Sequence, residues 1–171
     1  LGSTVKPFVV AKALEQKTIK PYQTFECDNG RIVIPGKRRP TFDHHKMDKC
    51  TVTEIIAHSS NVGVVKIGRI TGLNPMRQYF DLAGLTRTPP LGIGRPPRGA
   101  LPRLRNGRLI SRTDGEVMLF GYALRGTLLS ITSAYTAFAN GGMRINPYLV
   151  DRVVKGELEE VMPRGQRERL M

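Results

Sequence analysis

The stretch Ser3-Thr4-Val5-Lys6-Pro7-Phe8 constrains this chain more than any other. It reads as the opening of a helix over residues 3 to 16, with Val5, Phe8, Val9 and Ala13 at rough helical spacing. Pro7 falls in the first turn, where a missing N–H costs least. Residues three apart share a helix face, so the Ser3 hydroxyl and the Lys6 amine are set side by side. A serine hydroxyl is a poor nucleophile until another group takes its proton. An ammonium cannot take it, so Lys6 must be neutral for part of any such cycle. Burial and a nearby positive charge or helix N-terminus push an amine in that direction. The same helix start offers free backbone N–H groups, that of Ser3 among them, to a developing oxyanion.

A second element, Ser59-Ser60-Asn61, lies between two predicted helices. Thr51-Val52-Thr53-Glu54 has the capping-box pattern and starts the first, which carries Ile55, Ile56 and Ala57 toward Ser59. Residues 61 to 71 read as the second, stopped by Gly72. In a tight connection, side chains at i and i+2 can project the same way. Ser59 is then placed to relay a proton between Ser3 and Lys6 or a leaving group. Asn61, which both donates and accepts, is placed to hold a substrate amide and steady Lys6. Serine and asparagine are also ordinary helix caps, and a bare Ser-x-x-Lys is an ordinary surface pair, so neither element decides the matter by itself. Together they indicate a serine acyl-transfer site.

The rest of the chain frames these elements. Its 171 residues, 40% of them apolar, suffice for one domain with a real core. No run of about 18 apolar residues occurs, and no signal peptide; the chain opens on Leu1, as an internal piece of a longer protein would. The formal charge of +13 favours anionic partners, but no nucleic-acid reader motif accompanies it, and the expectation is a basic, solvated surface. His44 and His45 are adjacent and poorly placed to face one metal, and no zinc spacing occurs, so neither metal nor cofactor is expected. Cys27 and Cys50 admit either a disulfide or buried thiols. Residues 22 to 49 read as loop-rich, with a turn at Asn29-Gly30 and a short strand over Arg31-Ile32-Val33-Ile34. Asn74-Pro75 opens a further helix to about Ala83, and residues 86 to 107 read as an irregular excursion rich in Pro, Gly and Arg. Thr127 caps a helix with Leu128, Ile131, Tyr135 and Phe138 along one face, ended by Asn140-Gly141-Gly142. A strand is expected at Tyr148-Leu149-Val150 and Val153-Val154, an acidic turn over residues 157 to 160, and a helix from Pro163. Local patterns thus give a mixed α/β chain with helix dominant.

In combination the motifs are specific. Gly2-Ser3-Thr4-Val5-Lys6-Pro7-Phe8 is similar to the nucleophile motif of the penicillin-binding protein transpeptidases, and Ser59-Ser60-Asn61-Val62-Gly63 to their second motif. Phe120-Gly121-Tyr122-Ala123, Thr127-Leu128-Leu129 and the run Ala134 to Gly142 resemble the segment that precedes their third, and Gly99-Ala100-Leu101-Pro102 fits a family loop. The chain therefore resembles the class B, division or elongation kind over nearly its whole length. The third motif, Lys-Thr/Ser-Gly, has no counterpart, and its place would be beyond Met171; Ala123 and Leu128 stand where the family more often has Gly and Pro, and Pro96-Pro97-Arg98 replaces an often acidic stretch.

The resemblance implies one partial transpeptidase domain over residues 1 to 171. Its fold would be α/β of the α+β type: an antiparallel sheet flanked by helices, with an all-helical subregion. It implies Ser3 as nucleophile toward peptidoglycan stem peptides ending in D-Ala-D-Ala, Lys6 as base, Ser59 as relay and Asn61 as substrate-binding residue. It implies acylation by β-lactams, no cofactor, and cell-wall synthesis or division proteins as partners of the full-length protein. The location would be the periplasmic face of a bacterial inner membrane, through an anchor outside this chain. A DD-carboxypeptidase or serine β-lactamase is the neighbouring alternative, and a non-catalytic basic piece that binds anionic partners is the alternative of another class.

Overall fold

The computed structural model describes residues 1–89, 91, 97, 99–156, 158–161 and 167–171. They form two compact units, Leu1–Phe80 with Ala100–Arg125, and Asp81–Gly99 with Gly126–Met171.

The first unit begins with a 3-10 turn, Gly2–Val5, that runs straight into helix α1, Lys6–Glu15. Pro7 sits in the first turn of α1, where it displaces no hydrogen bond. Lys6, Phe8, Val9, Val10 and Ala13 make the buried face. Four short strands follow: β1 (Thr24–Glu26), β2 (Arg31–Ile32), β3 (Thr41–Phe42) and β4 (Lys49–Thr51). β1 pairs antiparallel with β4, and β2 with β3. The segment read as loop-rich is thus two nested strand pairs. The strand expected over Arg31 to Ile34 ends at Ile32, because Pro35 and a turn closed by Lys37 N–H on the Ile34 carbonyl (3.0 Å) follow directly. A disulfide joins Cys27 to Cys50, both without solvent exposure, and decides between the two readings of these cysteines.

Helix α2 (Val52–Ala57) starts at the expected capping box: Thr51 accepts from the Glu54 N–H, and the Glu54 carboxylate accepts from the Thr51 N–H. Helix α3 (Asn61–Thr71) ends at Gly72, and α4 (Leu73–Leu82) follows at once. Two glycines on α3 let neighbours come close. A methyl at position 63 would lie 2.4 Å from Ile55, and one at position 68 would lie 2.3 Å from Leu119. Strands β5 (Leu104–Arg105) and β6 (Arg108–Leu109) form a hairpin inside the segment expected to be irregular, of which residues 90, 92–96 and 98 lie outside the described residues. Helix α5 (Arg112–Met118) has no counterpart among the sequence expectations. It brings Glu116, fully buried, against α3, where Arg69 meets its carboxylate at 2.7 Å and Arg112 at 3.0 Å.

The second unit centres on helix α6 (Leu128–Ala139), capped by Thr127 as expected. Its buried face differs from the expected one. Leu128 is 81% exposed and Phe138 42%, while Ser130, Ile131, Ser133, Ala134 and Ala137 face inward. Small residues line the inner side because backbone lies directly against it: Ser130 donates to the Leu85 carbonyl (2.9 Å) and Ser133 to the Ile145 carbonyl (2.7 Å). Strand β7 (Met143–Ile145) pairs antiparallel with β10 (Arg167–Arg169), so the chain ends in a strand where a helix from Pro163 was expected; residues 162–166 lie outside the described residues. Strand β8 (Arg152–Lys155) pairs with β9 (Leu158–Val161). The expected acidic turn is therefore mostly strand, with residue 157 outside the described residues, and Tyr148-Leu149-Val150 is not strand. The class is mixed α/β as expected. Its described strands form five two-stranded antiparallel pairs rather than the one flanked sheet of the expectation.

Candidate active site

The 3-10 turn leaves Ser3 exposed, while Lys6, one turn on, is 2% exposed. The two are locked in register by the Lys6 N–H, which donates to the Ser3 carbonyl. The turn is anchored from behind. Gly2 N–H donates to the Gly121 carbonyl at 3.2 Å. Position 121 has φ +88°, and a methyl there would sit 1.9 Å from the Gly2 oxygen, so only glycine fits.

Lys6 reaches across to the connection between α2 and α3. Its Nζ donates to Ser59 Oγ at 2.9 Å and to the Ser59 carbonyl oxygen. Burial pulls its pKa from 10.5 down to about 8, and the negative charge of Asp43 opposes that fall. At neutral pH roughly one lysine in ten would then be an uncharged amine able to accept a proton.

Ser59 is held in a conformation that its side chain does not favour. Helix α2 ends in a Schellman motif: Ser60 N–H donates to the Ile55 carbonyl (2.9 Å) and Ser59 N–H to the Ile56 carbonyl (3.1 Å). The residue at the left-handed position of this motif is usually glycine, yet here it is Ser59 at φ +54°. The result aims the Ser59 hydroxyl at Lys6.

The connection continues into the first turn of α3, where the sequence reading missed a residue. Asp43, buried just after β3, accepts from Ser60 Oγ at 2.6 Å with one oxygen. With the other it accepts from the Asn61 N–H at 2.5 Å and the Val62 N–H at 3.3 Å. Ser60 Oγ in turn accepts from the Gly63 N–H at 2.8 Å. A carboxylate and a hydroxyl thus cap α3 together, and the charge favours a helix N-terminus. No local pattern marks Asp43, because its partners lie seventeen or more residues further along.

Asn61 is oriented by β3: its Nδ2 donates to the Phe42 carbonyl at 3.0 Å. That leaves its side-chain carbonyl to receive an N–H from a ligand. Among the described residues it makes no hydrogen bond to Lys6; Ser59 makes that contact. Of the four residues expected to form a site, the structure joins Lys6 to Ser59 directly. Ser3 lies one turn before Lys6, and Asn61 two residues past Ser59, facing β3. His45 stacks on His58 with ring centroids 4.2 Å apart, and no group of three or more His, Cys, Asp or Glu among the described residues is placed to hold a metal ion. No helix among them is long and apolar enough to cross a membrane.

Over residues 1–170 the chain matches the penicillin binding protein transpeptidase domain. It is 29% identical over 173 residues to the probable peptidoglycan D,D-transpeptidase PenA of Neisseria flavescens, covering 97% of this chain and 38% of that protein. It is similar to the TP domain of Burkholderia pseudomallei penicillin-binding protein 3, with 29% identity and a TM-score of 0.78 across 95% of this chain and 47% of that one. Penicillin-binding protein 3 of Mycobacterium tuberculosis, complexed with ampicillin, shares the fold with a TM-score of 0.87 at 23% identity, across 99% of this chain and 37% of that one. The chain thus spans less than half the length of each of these proteins. With the family matched from end to end, this chain belongs to the penicillin-binding protein transpeptidases, in the class B group with PenA and penicillin-binding protein 3.

Proposed function

We propose that this chain carries the nucleophile and proton-transfer half of a peptidoglycan D,D-transpeptidase, as one partial domain over residues 1 to 171. The observation that carries the reading is the buried Lys6 amine 2.9 Å from Ser59 Oγ, one helical turn after an exposed serine. In its uncharged form Lys6 takes the Ser3 proton as the hydroxyl oxygen attacks the penultimate D-alanyl carbonyl carbon of a stem peptide. Ser59 passes that proton to the departing D-alanine nitrogen, and the C–N bond breaks to leave an ester on Ser3. The amine of a second stem peptide attacks the ester, gives up a proton and frees the serine. Asn61 offers its carbonyl to a substrate N–H, and the Ser3 N–H faces the oxyanion. A β-lactam enters by the same attack, and its ring opening leaves no departing group to clear the site.

In the full-length protein the site is completed by a Lys-Thr/Ser-Gly strand beside Ser3, within an antiparallel sheet flanked by helices. Such an enzyme works on the periplasmic face of the inner membrane with other cell-wall synthesis or division proteins. The test is mass spectrometry of the full-length protein after exposure to benzylpenicillin. A penicilloyl adduct on the peptide bearing Ser3, lost in Ser3→Ala, supports the reading. No adduct in a folded protein, or an adduct that survives Ser3→Ala, rejects it.

A further inference from the structure

Within the first unit, α3, α4, α5 and the β5–β6 hairpin enclose two open hollows that share Arg108 and Leu109. The first, of about 420 Å³, is lined by Arg69, Leu73, Asn74, Arg108, Leu109 and Arg112. The second, of about 610 Å³, adds Arg105 from the other arm of the hairpin. Neither is lined by Ser3, Lys6, Ser59 or Asn61.

The polar side chains of the first hollow present donors to it. Asn74 Oδ1 accepts from the Leu109 N–H at 2.9 Å, which orients the amide and leaves its Nδ2 to donate. Arg69 and Arg112 are fixed from behind by the fully buried Glu116. Arg69 Nε and Nη2 donate to its two oxygens at 3.1 and 2.7 Å, and Arg112 Nε to one of them at 3.0 Å. Each guanidinium keeps N–H groups beyond those bonds. Glu116 offsets one of the three guanidinium charges around the hollow, so two remain. Asp114, the other acid of α5, lines a different hollow with Arg103 and Ser111.

The hairpin supplies a second, independent observation. Asn106 at φ +50° and Gly107 at φ +74° make the two-residue turn that sets Arg105 directly across from Arg108. Like charges opposite one another destabilise a strand pair. Both side chains are exposed, and neither guanidinium meets an acceptor among the described residues. An unbalanced pair of cations therefore stands at the mouth of a hollow whose walls donate.

We propose that this hollow binds a phosphate monoester, with Arg108, Arg112 and Asn74 as its contacts, Arg69 behind them and Arg105 beside it. Guanidinium forks fit phosphate oxygens in pairs, and a monoester carries roughly the two negative charges that Glu116 leaves unmatched. A single carboxylate brings one charge and would leave a guanidinium unbalanced. Leu73 and Leu109 give the attached carbon chain an apolar floor. The proposal does not depend on the acyl-transfer reading.

The test is calorimetric titration of the full-length protein at fixed ionic strength. Glycerol 3-phosphate should bind about tenfold more tightly than succinate, a dicarboxylate. Arg108→Gln should weaken glycerol 3-phosphate about tenfold. The double change Arg38→Gln with Arg39→Gln removes two exposed charges elsewhere on the same unit and should leave binding within about twofold. Melting temperature and penicillin acylation of Ser3 show that Arg108→Gln is folded, and neither should change. Dihexanoyl phosphatidic acid, kept below its micelle concentration, separates the sources of the phosphate. Binding about tenfold tighter than glycerol 3-phosphate, and weakened by Arg108→Gln, assigns a lipid headgroup; equal binding assigns a soluble molecule. Three results overturn the proposal: no binding of either phosphate probe, succinate bound as tightly as glycerol 3-phosphate, or Arg108→Gln binding as the parent does. Failure of penicillin to acylate Ser3 would reject the acyl-transfer reading and leave this test standing.

Discussion

At the scale of single residues, two groups sit where their own chemistry disfavours them. Ser59 occupies a left-handed position at a cost of about 1–2 kcal/mol relative to an unstrained residue. Ser59→Gly should therefore raise unfolding stability by about 1 kcal/mol in urea titration. The same change should slow penicillin acylation roughly 100-fold or more, because the hydroxyl on Lys6 is lost. A glycine variant that is more stable and equally fast would remove Ser59 from the chemistry. Lys6 is the second group. With its pKa held near 8, the acylation rate should climb about tenfold per pH unit below that value and level off above roughly pH 9. Stability moves with it. Below pH 8 the folded and unfolded chains both carry the proton, and the fold bears the whole cost of a buried charge. Between about 8 and 10.5 the unfolded chain keeps a proton that the folded one has released, so stability rises with pH. Buried Tyr79 and half-buried Tyr135, whose pKa values burial pushes up, reverse that slope near pH 10, where unfolded tyrosines begin to ionise. The positions of Ser3, Lys6, Ser59 and Asn61 were legible because each lies in a short local pattern. Asp43 was not, since its contacts exist only after β3 and α3 have met.

At the scale of elements, the helix starts were the most readable features. Thr51 with Glu54 and Thr127 at the start of α6 bond to the backbone as their spacing announces, since a cap is settled within one turn. Helix α5 escaped because Arg112–Met118 carries Gly115 and has apolar residues only at its end. Strand β10 escaped for a different reason: its partner β7 lies far back in the chain, as the bridge from Arg144 to Glu168 at 2.5 Å shows. On α6 the larger apolar residues suggested the wrong inner face, because backbone approach selects small ones. The close approach of Gly121 to Gly2 yields a prediction at this scale. Gly121→Ala should destabilise the fold by roughly 2 kcal/mol or more, through strain at φ +88° and collision with the Gly2 carbonyl. Penicillin acylation should fall with it, since the turn that presents Ser3 would lose its anchor. Thermal unfolding and adduct formation on the one variant check both parts, and an unaltered rate would show that the turn needs no such support.

At the scale of the whole molecule, composition indicated a core and local patterns a mixed chain, and neither could specify how strands pair. The described strands are two to four residues long, too short for a periodic pattern to announce them. Of the basic residues that make up the net charge of +13, Lys37 lines a cavity together with Asn61. The bond from Cys27 to Cys50, 23 residues apart, closes a ring that contains Lys37, Phe42, Asp43 and His44. Opening it should cost about 3 kcal/mol, read as a lower urea midpoint in reductant. The ring carries Asp43, so the same bond helps to hold the carboxylate that braces the Ser59-Asn61 connection. Loss of that one bond would loosen the Ser59-Asn61 connection at a distance, with every residue of the nucleophile helix unchanged.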